Sequence, residues 1–210
     1  MKYKHILAID PSGSYNEGNG TTGWAVMNYK EQLIAVGTIK ACDYSSPEDF
    51  WNAHIELIKF NHRKYTTGGL MVIMEDYVLY ADRAKNQTNS QMETCRLLGI
   101  MQWACWKMHQ PYTLQLAAAV KTRWNDDLLF REHILTRHRD SVFHTESGIE
   151  LKTPHVKDAL RHALHYVICK NENRQKKKYI PLKGAYGNVQ SNYQSGRRKT
   201  KTNTRTFRNY

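Results

Sequence analysis

The chain has 210 residues and a net charge of +12, with 40% apolar residues and five tryptophans, enough for one domain with a real core. Its apolar runs, "LMVIM" and "LQLAAAV", are far too short to span a bilayer, and the N-terminus lacks the apolar region and cleavage site of a signal peptide. Four cysteines without a CxxC or CxxH pair point to reduced thiols in a cytosolic protein rather than to disulfides or zinc.

In chain order, "KHILAID" is a short continuous apolar run that predicts a fully buried strand ending in Asp10. "TTGWAVMN" and "QLIAVGTIKA" follow across a turn-length gap and predict an antiparallel hairpin. Ser46 before Pro47, with Asp49 three residues on, is a capping pattern, so residues 47 to 64 should form an amphipathic helix. "GGLMVIMED" predicts a strand parallel to other strands after the helical crossover, and it ends in Glu75. Residues 89 to 108 read as a helix with two apolar stripes. One stripe is Met92, Cys95, Gly99 and Trp106; the other is Leu97, Met101, Ala104 and Met108. "YTLQL" predicts a fifth strand, and Asp126 and Asp127 open a helix expected to reach about His138. Residues 139 to 152 read as irregular, and a helix capped at Thr153 should run to about Lys170. These elements give an α/β class with a mixed five-stranded sheet.

Residues 171 to 210 hold eleven Lys or Arg against one acid, Glu172, while the first 170 residues carry only +2. The chain therefore divides into a near-neutral domain, 1–170, and a basic, flexible tail, 171–210, suited to phosphate backbones.

Two strands ending in carboxylates should place Asp10 and Glu75 side by side if the strands are parallel neighbours. On the last helix His155, Asp158, His162 and His165 fall within an arc of roughly 80°. Three acids with no evident buried arginine partner call for a cation, and divalent ions with oxygen ligands meet that need. Asp76 and Glu17 are rival acids; period-2 alternation points Asp76 away from Glu75.

The segments "AIDPS…GTTGWAV", "VIMEDYV", "NSQMETCRLLGI", "AAAVK" and "HVKDALRHAL" occur in the order found in RuvC-type Holliday junction resolvases. The chain resembles that family, especially its phage-borne branch, from residue 4 to about 168. The resemblance implies an RNase H-like fold, a homodimer, and Mg²⁺-dependent nicking of four-way DNA junctions by two ions per site, with Mn²⁺ also supporting activity. It implies no membrane and no small-molecule cofactor. Residue by residue it implies that Asp10, Glu75, Asp158 and His155 are catalytic metal ligands and that Lys121 lies near the scissile phosphate. The helix from Asn89 to Met108 becomes the dimer helix, with Met92, Cys95, Leu97, Gly99 and Met101 as candidate contacts. Tyr77 and Tyr80 take the place of an aromatic wedge. Arg83, Lys85, Arg123, Lys176, Lys177, Lys178, Arg197, Arg198 and Lys199 are candidate DNA contacts. The loop "SYNEGNG" is longer than the family's glycine turn, and the basic tail has no counterpart there. Another RNase H-like nuclease or an inactive binding protein would share most of these features. An actin-like ATPase would need a second related domain and an Asp-Gly loop that this chain lacks.

Overall fold

A computed structural model describes residues 3–16, 18–78 and 92–178, the last eight by their backbone alone. The strands are β1 (His5–Asp10), β2 (Thr21–Asn28), β3 (Leu33–Lys40), β4 (Leu70–Asp76) and β5 (Tyr112–Leu116). They form one sheet in the order β3-β2-β1-β4-β5. The pairs β1–β2 and β2–β3 are antiparallel, whereas β1–β4 and β4–β5 are parallel, so the sheet is mixed as expected.

Both faces of the sheet are covered, which is why β1 is apolar and fully buried from Ile6 to Ile9. Odd and even residues serve different cores. Leu7, Ile9, Val72 and Met74 pack against α1 (Pro47–Lys64) and α2 (Glu93–Lys107). Ile6, Ala8, Met71 and Ile73 pack against α3 (Ala117–Arg123), α4 (Asp126–Arg131) and α5 (Pro154–Lys178). By the same parity Asp10 and Glu75 project to the α5 face and Asp76 to the other. The field of Asp76 raises the pKa of Cys95 on α2, after burial, which agrees with that placement.

Helix α1 starts as its sequence dictates: the Ser46 hydroxyl accepts from the Asp49 N–H at 3.1 Å and Pro47 occupies the first turn. Helix α5 is capped by Thr153, whose hydroxyl accepts from the Val156 N–H at 3.2 Å. It runs to Lys178, eight residues beyond the expected end. Among the described residues no helix is long and apolar enough to cross a membrane.

Two expectations fail between β5 and α5. The helix opened by Asp126 stops at Arg131, because His133 adopts a left-handed φ of 55°. Residues expected to continue it, or to be irregular, instead form a hairpin of β6 (Leu135–His138) and β7 (Ser141–His144). Leu135 has the right spacing from Leu128 for a helix, yet it packs on the core from a different element. Helix α3 forms directly after β5, where no helix was expected.

One polar side chain lies deep in the second core. His54 on α1 is fully buried; its Nδ1–H donates to the Phe50 carbonyl at 2.7 Å, and its Nε2 accepts from the Thr22 hydroxyl at 2.8 Å. Acceptance at Nε2 requires the neutral ring, and burial pushes its pKa from 6.5 down to about 4. Between those values only the unfolded chain takes up the proton, so stability is complete above pH 6.5 and falls as pH drops toward 4. Urea unfolding should show the stability advantage of wild type over His54→Gln shrinking by about 2–3 kcal/mol between pH 7 and pH 4.5. A constant difference would mean that His54 does not titrate between the two states.

Candidate functional site

Asp10 closes β1, Glu75 lies next to the end of the neighbouring parallel strand β4, and His155 and Asp158 occupy the first turns of α5. What lets α5 reach over the sheet is a missing side chain. A Cβ on Gly23 of β2 would sit 2.2 Å from the His155 carbonyl carbon and 2.4 Å from the Val156 nitrogen. Only glycine permits that approach, and Gly23 pairs with Asp10 in the β1–β2 ladder. The first turn of α5 is thereby laid directly over Asp10.

The contacts that follow are short and charged. His155 Nδ1 donates to Asp10 Oδ2 at 2.8 Å. Lys121 of α3 bridges two acids, with its ammonium 2.9 Å from Asp158 Oδ2 and 3.7 Å from Glu75 Oε2. His162 reaches Glu75 Oε2 at 2.9 Å and Gln115 Oε1 at 2.8 Å. Arg161 pairs with both Asp158 and Asp126, and Lys157 also holds Asp126 at 2.8 Å.

The expectation that the acids lack a buried arginine partner is therefore wrong. Arg161 is only 8% exposed and neutralises Asp158 from behind. Three residues after Asp158 on one helix, it lay at a spacing that brings side chains together, so this signal was present. Asp126 gave none, since it is 35 residues away in sequence. His162 was legible as part of the helix face but not as a contact of Glu75.

The pKa shifts record a crowded site. Burial pushes Asp10 upward, the His155 hydrogen bond opposes it, and the fields of Glu75 and Asp158 add to the rise. His155 is raised, first by its bond to Asp10, against partial burial. For Lys121, burial works against the charge, but Asp158, Glu75 and Asp10 together outweigh it and hold the pKa above the usual lysine value. In Asp126, burial is overcome by Lys157 and Arg161, which lower it.

Among the described residues, no three His, Cys, Asp or Glu side chains converge closely enough to hold a metal ion as they stand. The donor chemistry nonetheless suits a hard divalent cation: carboxylate oxygens from Asp10, Glu75 and Asp158, with one imidazole. The Lys121 ammonium, shared by Glu75 and Asp158, is a cation held between two of those donors. The residues fit the group, with lysine in part of its place.

The loop after Asp10 is pinned rather than loose. Ser12 N–H donates to Thr22 at 3.1 Å, and Gly13 N–H donates to Thr94 on α2 at 3.1 Å. The Asn16 amide bonds Glu93, and a Cβ on Gly13 would lie 2.3 Å from the Glu93 carbonyl carbon. Gly13 and Asn16 thus dock on the first turn of α2.

Other expected residues scatter. Tyr77 is partly buried and packs on the core shared with α1 and α2, so it is not a free wedge. Arg123 sits at the end of α3, donating to Cys169 Sγ at 3.4 Å and lying over Trp124. Lys176, Lys177 and Lys178 belong to the last turns of α5. Glu17, Tyr80, Arg83, Lys85, Arg197, Arg198 and Lys199 lie outside the described residues.

On α2, Leu97 and Met101 are fully buried in the chain's own core and cannot meet a partner. Met92, Gly99, Trp103 and Trp106 form the outward stripe; Trp103 is 53% and Trp106 70% exposed, and a Cβ on Gly99 meets nothing. Cys95 lies between the two faces, partly buried.

Gly23→Ala should therefore destabilise the protein by about 1–3 kcal/mol through overpacking and pull His155 away from Asp10. Thermal unfolding measures the first effect. An NMR titration measures the second, with the His155 pKa falling back toward 6.5. A folded variant with unchanged His155 titration would show that Gly23 does not set this contact.

No protein-family model matches the chain, and no curated protein does. Solved structures do. A structure titled "T. thermophilus RuvC in complex with Holliday junction substrate" is 15% identical, with a TM-score of 0.55, covering 80% of this chain and 96% of that one. A second, titled "Thermus thermophilus RuvC structure", is 15% identical with the same coverage and a TM-score of 0.53. The likeness is one of fold: this chain has the RNase H-like fold seen in RuvC.

Proposed function

We propose that the protein is a divalent-metal-dependent endonuclease of the RuvC type, nearest the phage-borne branch, that resolves four-way and other branched DNA junctions as a homodimer in the cytoplasm. The observation that carries this reading is the meeting of Asp10, Glu75, His155, Asp158 and Lys121, drawn from four separate elements, at one end of an RNase H-like sheet.

Asp10, Glu75, Asp158 and His155 would hold the cations. Two Mg²⁺ or Mn²⁺ ions bound there would supply Lewis acidity to a scissile phosphodiester and to the water that attacks it. Lys121, released from Glu75 and Asp158, is placed to neutralise the phosphate. Arg161 stays behind Asp158, keeping its carboxylate oriented. Near-neutral in charge elsewhere, the domain would draw on residues 171–210 to follow DNA arms through phosphate contacts.

One observation favours a second reading. Each acid already has a cationic or imidazole partner within the chain, as suits a scaffold that binds DNA without cutting it. A panel of four-way, three-way, flap and RNA–DNA hybrid substrates with Mg²⁺ or Mn²⁺ separates the cases. We expect paired nicks in four-way junctions, abolished by Asp10→Asn, Glu75→Gln or Asp158→Asn while junction binding survives. Cleavage retained in any variant removes that residue from the site. Preference for hybrids indicates a different RNase H-like nuclease, and binding without cleavage indicates the scaffold.

The two-fold interface falls on the outward stripe of α2, since large aromatic side chains are costly to leave in water. Trp103→Glu or Trp106→Glu should yield folded monomers by sedimentation, with paired cleavage lost. Leu97→Glu and Met101→Glu should instead unfold the chain, because they place a charge in the core. A wild-type protein that sediments as a monomer on a junction would refute the dimer.

A further inference from the structure

We propose that His162 is a positioning residue for Glu75: it clamps the carboxylate from the interior side and so sets the affinity of the site for divalent cations. The proposal rests on the reading of Glu75 as a metal ligand. His162 is fully buried on α5, one turn deeper than Asp158, beside the buried Ala159, Leu160 and Ala163 and next in sequence to Arg161. An imidazole in such surroundings is costly unless its nitrogens are bonded, and here both are. Nε2 lies 2.9 Å from Glu75 Oε2 and Nδ1 2.8 Å from Gln115 Oε1.

The two partners are themselves neighbours. Glu75 and Gln115 are paired across the β4–β5 ladder, so their side chains leave the sheet on the same face, and the ring lies against both. A carboxylate can only accept, so Nε2 carries the proton toward Glu75. An amide can accept from or donate to Nδ1, so Gln115 fixes the plane of the ring in either orientation. The ring can then turn neither toward nor away from Glu75. The Lys121 contact falls on the same oxygen, Oε2, at 3.7 Å. Glu75 is thus met by a buried, doubly bonded ring from inside and by a part-exposed ammonium from outside. Carboxylate ligands depend on such outer partners, whose removal weakens metal binding by about 10–100-fold.

The test is Mn²⁺ binding to the full chain by calorimetry, in metal-stripped buffer. His162→Leu should weaken Mn²⁺ binding by about 10–100-fold. His162→Gln, whose amide nitrogen can replace Nε2–H, should bind within about threefold of wild type. In a Glu75→Gln background, His162→Leu should cause no further loss, because the effect runs through the carboxylate. Gln115→Met leaves the ring present but unbraced and should weaken binding in the same direction; it serves where His162→Leu does not fold. Wild-type affinity in His162→Leu or Gln115→Met would overturn the proposal, as would failure of His162→Gln to rescue or an equal loss without the Glu75 carboxylate. If wild type itself binds no Mn²⁺, the metal reading of the site falls and takes this proposal with it.

Discussion

The site depends on one close approach, that of the first turn of α5 to β2 at Gly23. Backbone lies on backbone there, and nothing larger than hydrogen fits between them. From this contact follow the height of α5 above the sheet, the seating of His155 on Asp10, and the reach of His162 to Glu75 near the end of β4. A helix held a few ångströms higher would still cover the apolar residues of β1 and β2. It would no longer complete a charged site.

The electrostatics of that site are those of a set of acids already satisfied by the protein. Asp10 is bonded to His155, Glu75 to His162, and Asp158 to Lys121 and Arg161. These partners are not equivalent. Arg161 and His162 are buried, whereas Lys121 and His155 are more than 40% exposed. A division into buried inner partners and exposed outer ones suits carboxylates that must keep their orientation while exchanging one cation for another. Two ordered connections tie this centre to the rest of the molecule. The loop after Asp10 is fastened to α2 through Thr94 and Glu93, and to α1 through Thr22 and His54. The loop that follows β1 thus joins the strand carrying Asp10 to the first turn of α2.

Much of this was open to reading from the chain alone. The continuous apolar run of β1, the Ser46 and Thr153 caps and the hairpin after Asn28 are local signals, and each produced the element it announced. Period-2 alternation sufficed to set Asp76 on the face opposite Glu75, and the parallel pairing of β1 with β4 put Asp10 and Glu75 on one face. The helical spacing of His155, Asp158 and His162 put them on one side of α5. The class of the fold and the identity of the acids belong to this local chemistry of backbone and side-chain periodicity.

Tertiary packing decided the rest, because those choices turn on which non-local surface covers which residue. The run from Asp126 to His138 satisfies a helix pattern as well as it does a helix followed by a strand, and a left-handed turn at His133 resolves it. Helix α2 carries two apolar stripes of similar character. Only the position of the sheet buries Leu97 and Met101 and leaves Trp103 and Trp106 in water. Asp126 and Gln115 have no sequence relation to the residues they brace, since the chain returns to them only after folding. The sequence by itself determined the five strands of the main sheet, the helix caps and the acids at the ends of β1 and β4. The three-dimensional packing alone decided which cations answer those acids, since a charge pair depends on distance in space and not along the chain.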